Sequence, residues 1–222
     1  MAEPVVVRLD CPAHVRAKAR YVFDTLLSAR RIPVEYDDSG DRTPGVVYTA
    51  NANAVPNNTL GIFCSVDAWE MFRGEANADR AGTAEGLRVV LDAEWQTGPS
   101  AHSIRFDLIA NAFYFLSSWP ERVPAARDRG TRALYADSVF KRLGVGQTIV
   151  DDYLSLLAGK LCEACPALRE RFATKALWPE GRSFAVVLSH DEDFIPRNLA
   201  DTVTMGAKSV LRQLVTHRSP GD

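Results

Sequence analysis

The sequence predicts an α/β fold, with a mixed α/β domain over residues 1–180 followed by a single strand–helix unit over residues 181–222. Two observations carry this reading. In the first third of the chain, short apolar runs alternate with a segment whose apolar residues recur at helical spacing. Near the end, the continuous apolar run Phe184–Leu188 leads into a polar cluster and then an amphipathic helix, the order of a strand–helix unit in a parallel sheet.

Taken in order, Val5–Leu9 is a short apolar strand, and Cys11-Pro12 starts a helix. From His14 to Arg31, Val15, Ala19, Val22, Phe23, Leu26 and Leu27 fall on one helical face, and the terminal Arg pair suits the negative end of the helix dipole. Ile32–Tyr36 is a second strand, closed by the turn Asp37-Asp38-Ser39-Gly40-Asp41. Gly45–Thr49 and Leu60–Cys64 are two further strands around the polar loop Asn51–Asn58, which reads as turn rather than ligand site. Residues 73–103 are less regular, with a weak strand at Val89–Leu91.

Phe106–Trp119 is the most distinctive helix. Its aromatic residues on several sides mark a buried packing element, and Asp107 lies near its start, where a carboxylate favours the dipole. Leu134–Leu143 is a short helix ended by Gly144-Val145-Gly146, and Ile149–Cys162 is a longer one with Ile149, Tyr153, Leu156, Leu157 and Leu161 in phase. Pro166, Pro179 and Gly181 punctuate a linker, which places a domain boundary near residue 180.

A formal charge of −2 gives no basic field to gather nucleic acid or an anionic membrane, so neither is expected as a partner. The N-terminus lacks the apolar core of a secretory signal, and no later apolar stretch approaches the ~20 residues of a membrane span, so a cytoplasmic protein is expected. The four cysteines, Cys11, Cys64, Cys162 and Cys165, then read as reduced thiols. Cys162-Glu163-Ala164-Cys165 has metal or redox spacing but no second ligand pair of like spacing, so it reads as small residues near a helix end.

The strand Phe184–Leu188 runs into Ser189-His190-Asp191-Glu192-Asp193. Ionisable groups at the carboxyl end of such a strand stand where α/β proteins place their active sites. In extended chain Asp191 and Asp193 share a face, so one can ligate a metal while the other serves as base toward a metal-bound water. The same acids would equally cap the following helix, and spacing alone leans that way. A Ser–His–Asp triad is excluded, because adjacent side chains on a strand point to opposite faces. Beyond them, Leu199, Val203, Ala207, Val210, Leu211 and Leu214 form an apolar helical stripe starting near Pro196 and Asn198.

Phe184–Asp193 resembles the first motif of a branch of bacterial polysaccharide deacetylases, in which an apolar strand ends in Thr/Ser-His-Asp-Val-Asp. Phe106–Glu121 resembles a signature of the uncharacterised domain preceding those catalytic domains, a Phe-Asp pair leading into a phenylalanine-rich helix. Ile149-Val150-Asp151-Asp152-Tyr153 is similar to a later segment of that domain. The resemblance implies that residues 1–180 are an accessory domain and 181–222 the first strand and helix of a deformed (β/α) barrel. It implies Asp191 as general base, Asp193 as ligand to zinc or a similar divalent metal, and His190 beside them in a supporting place. The substrate class it implies is a carbohydrate or related glycan carrying an N-acetyl or similar amide.

This chain departs from that pattern. Glu192 replaces an apolar residue, and no His-x-x-x-His pair exists among His14, His102, His190 and His217 to complete the metal site. The chain has 222 residues, so 29 follow Asp193, against the roughly 200 of a complete barrel. The expectation is therefore the N-terminal portion of a carbohydrate deacetylase-like protein that binds no metal cofactor and is inactive alone. The alternative is a non-catalytic binding or protein-interaction module associated with polysaccharide metabolism. Either way Phe184–Leu188 must pair, with the N-terminal sheet or with a second copy of the chain as a homo-oligomer, because a bare apolar edge aggregates.

Overall fold

The apolar runs of the first third become the strands of one parallel sheet. The structure is a computed structural model that describes residues 3–74, 81–96, 102–119, 141, 143–144, 148–169, 182, 186, 203–204 and 206–208. The chain divides into two units, Met1–Pro179 and Glu180–Asp222.

In the first unit, β1 (Val5–Asp10) is followed by α1 (Ala13–Ala29), β2 (Val34–Tyr36), β3 (Val46–Thr49), β4 (Leu60–Phe63) and α2 (Val66–Met71). A hairpin of β5 (Gly82–Ala84) and β6 (Leu87–Val89) comes next, then β7 (Ser103–Ile104), α3 (Leu108–Leu116) and α4 (Ile149–Ala164). The described residues form an α/β fold with the parallel order β2-β1-β3-β4-β7, beside the antiparallel β5–β6 pair. Counting only the sheet strands, this is the 2-1-3-4-5 order of one of the common doubly wound sheets, whose switch point lies between its first and third strands.

Register decides which residues enter the core. Leu9, Tyr48, Ile62 and Ile104 are paired across four strands, so their side chains share one face, and all are buried. Onto the same core pack Val15, Ala19, Val22, Phe23, Leu26 and Leu27 of α1, the stripe that helical spacing marks. Burying each such Leu, Val or Phe contributes about 1.5–3 kcal/mol relative to exposure. From α3 come Leu108, Ile109 and Ala112, and from α4 Tyr153, Leu157 and Leu161.

Several boundaries differ from expectation. Helix α1 stops at Ala29, so Arg30 is its C-cap and Arg31, at φ 57°, turns the chain in the left-handed region. Ile32 N–H then donates to Leu27 O and Arg31 N–H to Ser28 O, and buried Ile32 lies over the last turn, a Schellman motif. The arginine pair thus lies past the helix rather than in its last turn. The strand anticipated at Val89–Leu91 is Leu87–Val89, half of a hairpin whose two-residue loop, Glu85 (φ 48°) and Gly86 (φ 80°), has the positive angles of a type I′ turn.

In the second unit, residues 203–204 and 206–208 are helical, within the span where the apolar stripe predicts a helix. Val186 belongs to no strand and is 72 % exposed, unlike the buried strand residue anticipated there. The other residues of Phe184–Leu188 lie outside the described residues.

Candidate functional site

Doubly wound sheets place ligands outside the carboxyl ends of their strands, near the switch point. Here those ends are Asp10-Cys11 after β1, Thr49-Ala50-Asn51 after β3, and Cys64-Ser65 after β4. Thr49 Oγ1 donates to Asp10 Oδ2 at 2.8 Å and accepts from Asn51 N–H at 3.0 Å, which ties the first two ends together. Asn51 in turn caps a single 3-10 turn, Ala52–Ala54, and the Arg8 guanidinium donates to Ala54 O at 2.9 Å.

Beside this edge lies a cleft of about 240 Å³ lined by Arg8, Asp10, Arg16, Asp37, Asp38 and Ser39. Its lining includes Asp37, which accepts from Ser39 Oγ, Gly40 N–H and Arg42 N–H. Desolvation works to raise the Asp37 pKa, but these donors win and hold the carboxyl below the usual aspartate value. Asp37 is thus a fixed part of the loop, while Asp10 and Arg16 are exposed at the cleft. Carboxylate acceptors and guanidinium donors in one lining suit a ligand that both donates and accepts hydrogen bonds.

On the core side of the same edge is a polar network closed to water. Asp107, the N-cap of α3, is fully buried. It accepts from Ala110 N–H at 2.8 Å, from Ser65 N–H at 2.7 Å, and from the Tyr48 hydroxyl, which lies 2.9 Å from both of its oxygens. Trp69 Nε1 donates to Tyr48 Oη at 2.5 Å. Burial pushes the Asp107 pKa up to about 7 against these donors. Asn111, one turn later, accepts from Val90 and Leu91 N–H and donates to Leu91 O and Asp107 O, which fastens the end of β6 to α3. A carboxylate with its lone pairs so occupied is a structural hub.

The sequence separates Cys11 from Cys64, but the fold sets both at this edge, at the ends of β1 and β4 on either side of β3. Cys64 is buried and Cys11 half-buried. Cys162 sits in the last turn of α4 and Cys165 is its C-cap, both free thiols, as the helix-end reading of that pair anticipates.

Residues 10–166 match one family, described as a family of unknown function, DUF7033. The chain belongs to the DUF7033 family. No curated protein and no solved structure matches it. The DUF7033 span holds the cleft's lining from Asp10 onward, the Asp107 network, Cys11 and Cys64, and it ends before the Phe184–Asp193 segment.

His190, Asp191 and Asp193 lie outside the described residues, so the structure neither gathers nor separates them. Of the other histidines, His14 faces Glu70 at 3.5 Å and His102 faces Glu163 at 4.0 Å, each in a surface pair. Among the described residues no group of three or more His, Cys, Asp or Glu side chains is placed to hold a metal ion. The sequence contains no His-x-x-x-His pair. No described helix is long and apolar enough to cross a membrane.

Sequence reasoning missed the cleft at Asp10 and Arg16. The signal was present, because Asp10-Cys11 directly follows the run Val5–Leu9, as the polar cluster Ser189–Asp193 follows Phe184–Leu188.

Proposed function

We propose that this chain is the N-terminal portion of a carbohydrate deacetylase-like protein, in which the DUF7033 domain binds saccharide and performs no hydrolysis. The observation that carries this reading is the fate of Asp107. It is the first carboxylate of the Phe106–Glu121 signature, and it is sealed in the core with its lone pairs taken. The signature therefore builds the domain, which leaves the cleft of Arg8, Asp10, Arg16 and Asp38 as the surface for a ligand. Sugar hydroxyls donate and accept at once, and such a mixed wall of carboxylates and guanidinium groups serves both roles. Asp191 and Asp193 remain, by resemblance alone, the base and metal ligand of a site that this chain does not complete.

Titration calorimetry tests both halves. An N-acetylated hexosamine oligomer should bind saturably, and Arg16→Ala should weaken binding roughly tenfold, equivalent to about 1.4 kcal/mol. Zinc should find no tight site, and Asp193→Ala should change nothing in that titration. Failure of both N-acetylated and free-amine oligomers to bind would overturn the saccharide reading. Tight zinc binding lost in Asp193→Ala would overturn the reading of an incomplete metal site.

A further inference from the structure

The charges of the cleft are not equally engaged. Arg8 donates to Ala54 O, and Asp10 accepts from Thr49 through one of its two carboxylate oxygens. Asp37 is held by the donors of its own loop, and Asp38 is ion-paired with Arg20. Among the described residues, Arg16 is the charged side chain of this lining that makes neither a hydrogen bond nor an ion pair. Its place in the helix is also unfavourable. Arg16 stands in the first turn of α1, at the positive end of the helix dipole, where cations are disfavoured. That turn holds no acidic side chain, and the N-cap, Pro12, supplies no side-chain cap. A guanidinium held there without a partner in the fold breaks a local preference with no structural return, and such departures concentrate at functional sites.

We propose that Arg16 selects an acidic sugar by pairing with its carboxylate, so that the cleft's ligand is a saccharide with uronate units; this rests on the saccharide reading and narrows it. A guanidinium donates two parallel N–H bonds to a carboxylate, a geometry that a sugar hydroxyl does not match. The size of the charge follows from the lining. Arg8, Arg16 and Arg20 balance Asp10, Asp37 and Asp38, so the surroundings are neutral as a whole and the pull on an anion is local to Arg16. One negative charge suits that arrangement. A phosphate dianion would bring a second charge close to Asp10 with no cation left to meet it. The second oxygen of Asp10 is open among the described residues and accepts a hydroxyl of the same ring. At about 240 Å³ the cleft is smaller than the roughly 300–1,000 Å³ of sites for drug-sized ligands, a size for one sugar unit rather than several.

The test is titration calorimetry of the full chain with three oligomers of equal length. One alternates N-acetylhexosamine with hexuronate, the second is the same oligomer with its carboxyls reduced to alcohols, and the third carries phosphate monoesters instead. The uronate oligomer should bind about three- to tenfold more tightly than its reduced form, and added salt should shrink that margin. Arg16→Gln should erase the margin, while Arg16→Lys keeps part of it through its charge. Comparing the first two oligomers on the wild-type chain needs no variant to fold. Equal binding of those two, or a margin that survives in Arg16→Gln, would overturn the inference and leave the saccharide reading standing. Tightest binding of the phosphate form would overturn the choice of carboxylate. If none of the three binds, and plain N-acetylated and free-amine oligomers do not bind either, the saccharide reading falls and this inference falls with it.

Discussion

The Tyr48 hydroxyl stands 2.9 Å from each carboxylate oxygen of Asp107, joining the middle strand of the sheet to the first turn of α3 across 59 residues of sequence. Through Asp107 the same contact reaches Ser65, the N-cap of α2, and through Tyr48 it reaches Trp69 inside that helix. One carboxylate therefore organises the starts of two helices against β3.

Removing that carboxylate should be among the most damaging single changes in the domain. Asp107→Ala abolishes a helix cap, worth about 1 kcal/mol, and strands the Ser65 N–H and the Tyr48 hydroxyl in the core at roughly 1–3 kcal/mol apiece. The expected loss is about 3 kcal/mol or more, read as a lower urea midpoint. Tyr48→Phe leaves Trp69 Nε1–H unpaired but spares the cap, so its cost should be smaller, about 1–3 kcal/mol. A ranking in which Tyr48→Phe costs more than Asp107→Ala would contradict the hub.

The same residue sets a pH dependence. Burial raises the folded-state pKa of Asp107 to about 7, whereas an unfolded aspartate titrates near 4. Between those values the folded chain binds the proton more tightly than the unfolded one. Asp107's contribution is therefore most favourable below about pH 4, declines as pH rises, and levels off above about pH 7. The slope cannot exceed about 1.4 kcal/mol per pH unit. Urea melts at several pH values should show wild type losing stability relative to Asp107→Asn across that window. Parallel profiles for the two proteins would show that Asp107 stays ionised throughout.

Much of the fold was legible because its signals are local. The α1 stripe, the apolar runs of β1, β3 and β4, and the phase of α4 each follow from spacing within a few residues. The turn at Glu85-Gly86 escaped notice because Glu is an uncommon occupant of a position with positive φ, where Asn or Asp is the usual sign. Asp107 could be read as a favourable helix-start charge, but its partners Tyr48 and Ser65 come from distant strand ends, which periodicity does not connect. The Cys11–Cys64 pair is hidden for the same reason. Their shared edge depends on the strand order placing β1 and β4 on either side of β3.

Arg31 offers a stabilising change. It occupies the left-handed position of the Schellman motif at φ 57°, where a residue with a Cβ is strained and glycine is not. Its N–H bond to Ser28 O is a backbone contact that glycine keeps. Arg31→Gly should therefore raise stability by about 0.5–1 kcal/mol despite the greater freedom of glycine in the unfolded chain. Thermal melting should move upward, and a fall would mean that the Arg31 side chain contributes more than its backbone strain costs.

Asn111 should act on a region rather than on the whole domain. Its side-chain oxygen takes the N–H groups of Val90 and Leu91 at 2.9 and 3.1 Å, and its amide returns a bond to Leu91 O at 2.9 Å. Asn111→Ala removes all three while leaving the parallel sheet's own ladder intact. Because Val90 is buried, its N–H loses its acceptor without gaining water, at about 1–3 kcal/mol. Hydrogen exchange should then quicken at Val90 and Leu91 far more than at Val47 or Ile62, since regions open locally according to the contacts that hold them. Uniform acceleration across the sheet would mean that the β5–β6 hairpin and the sheet unfold as a single unit.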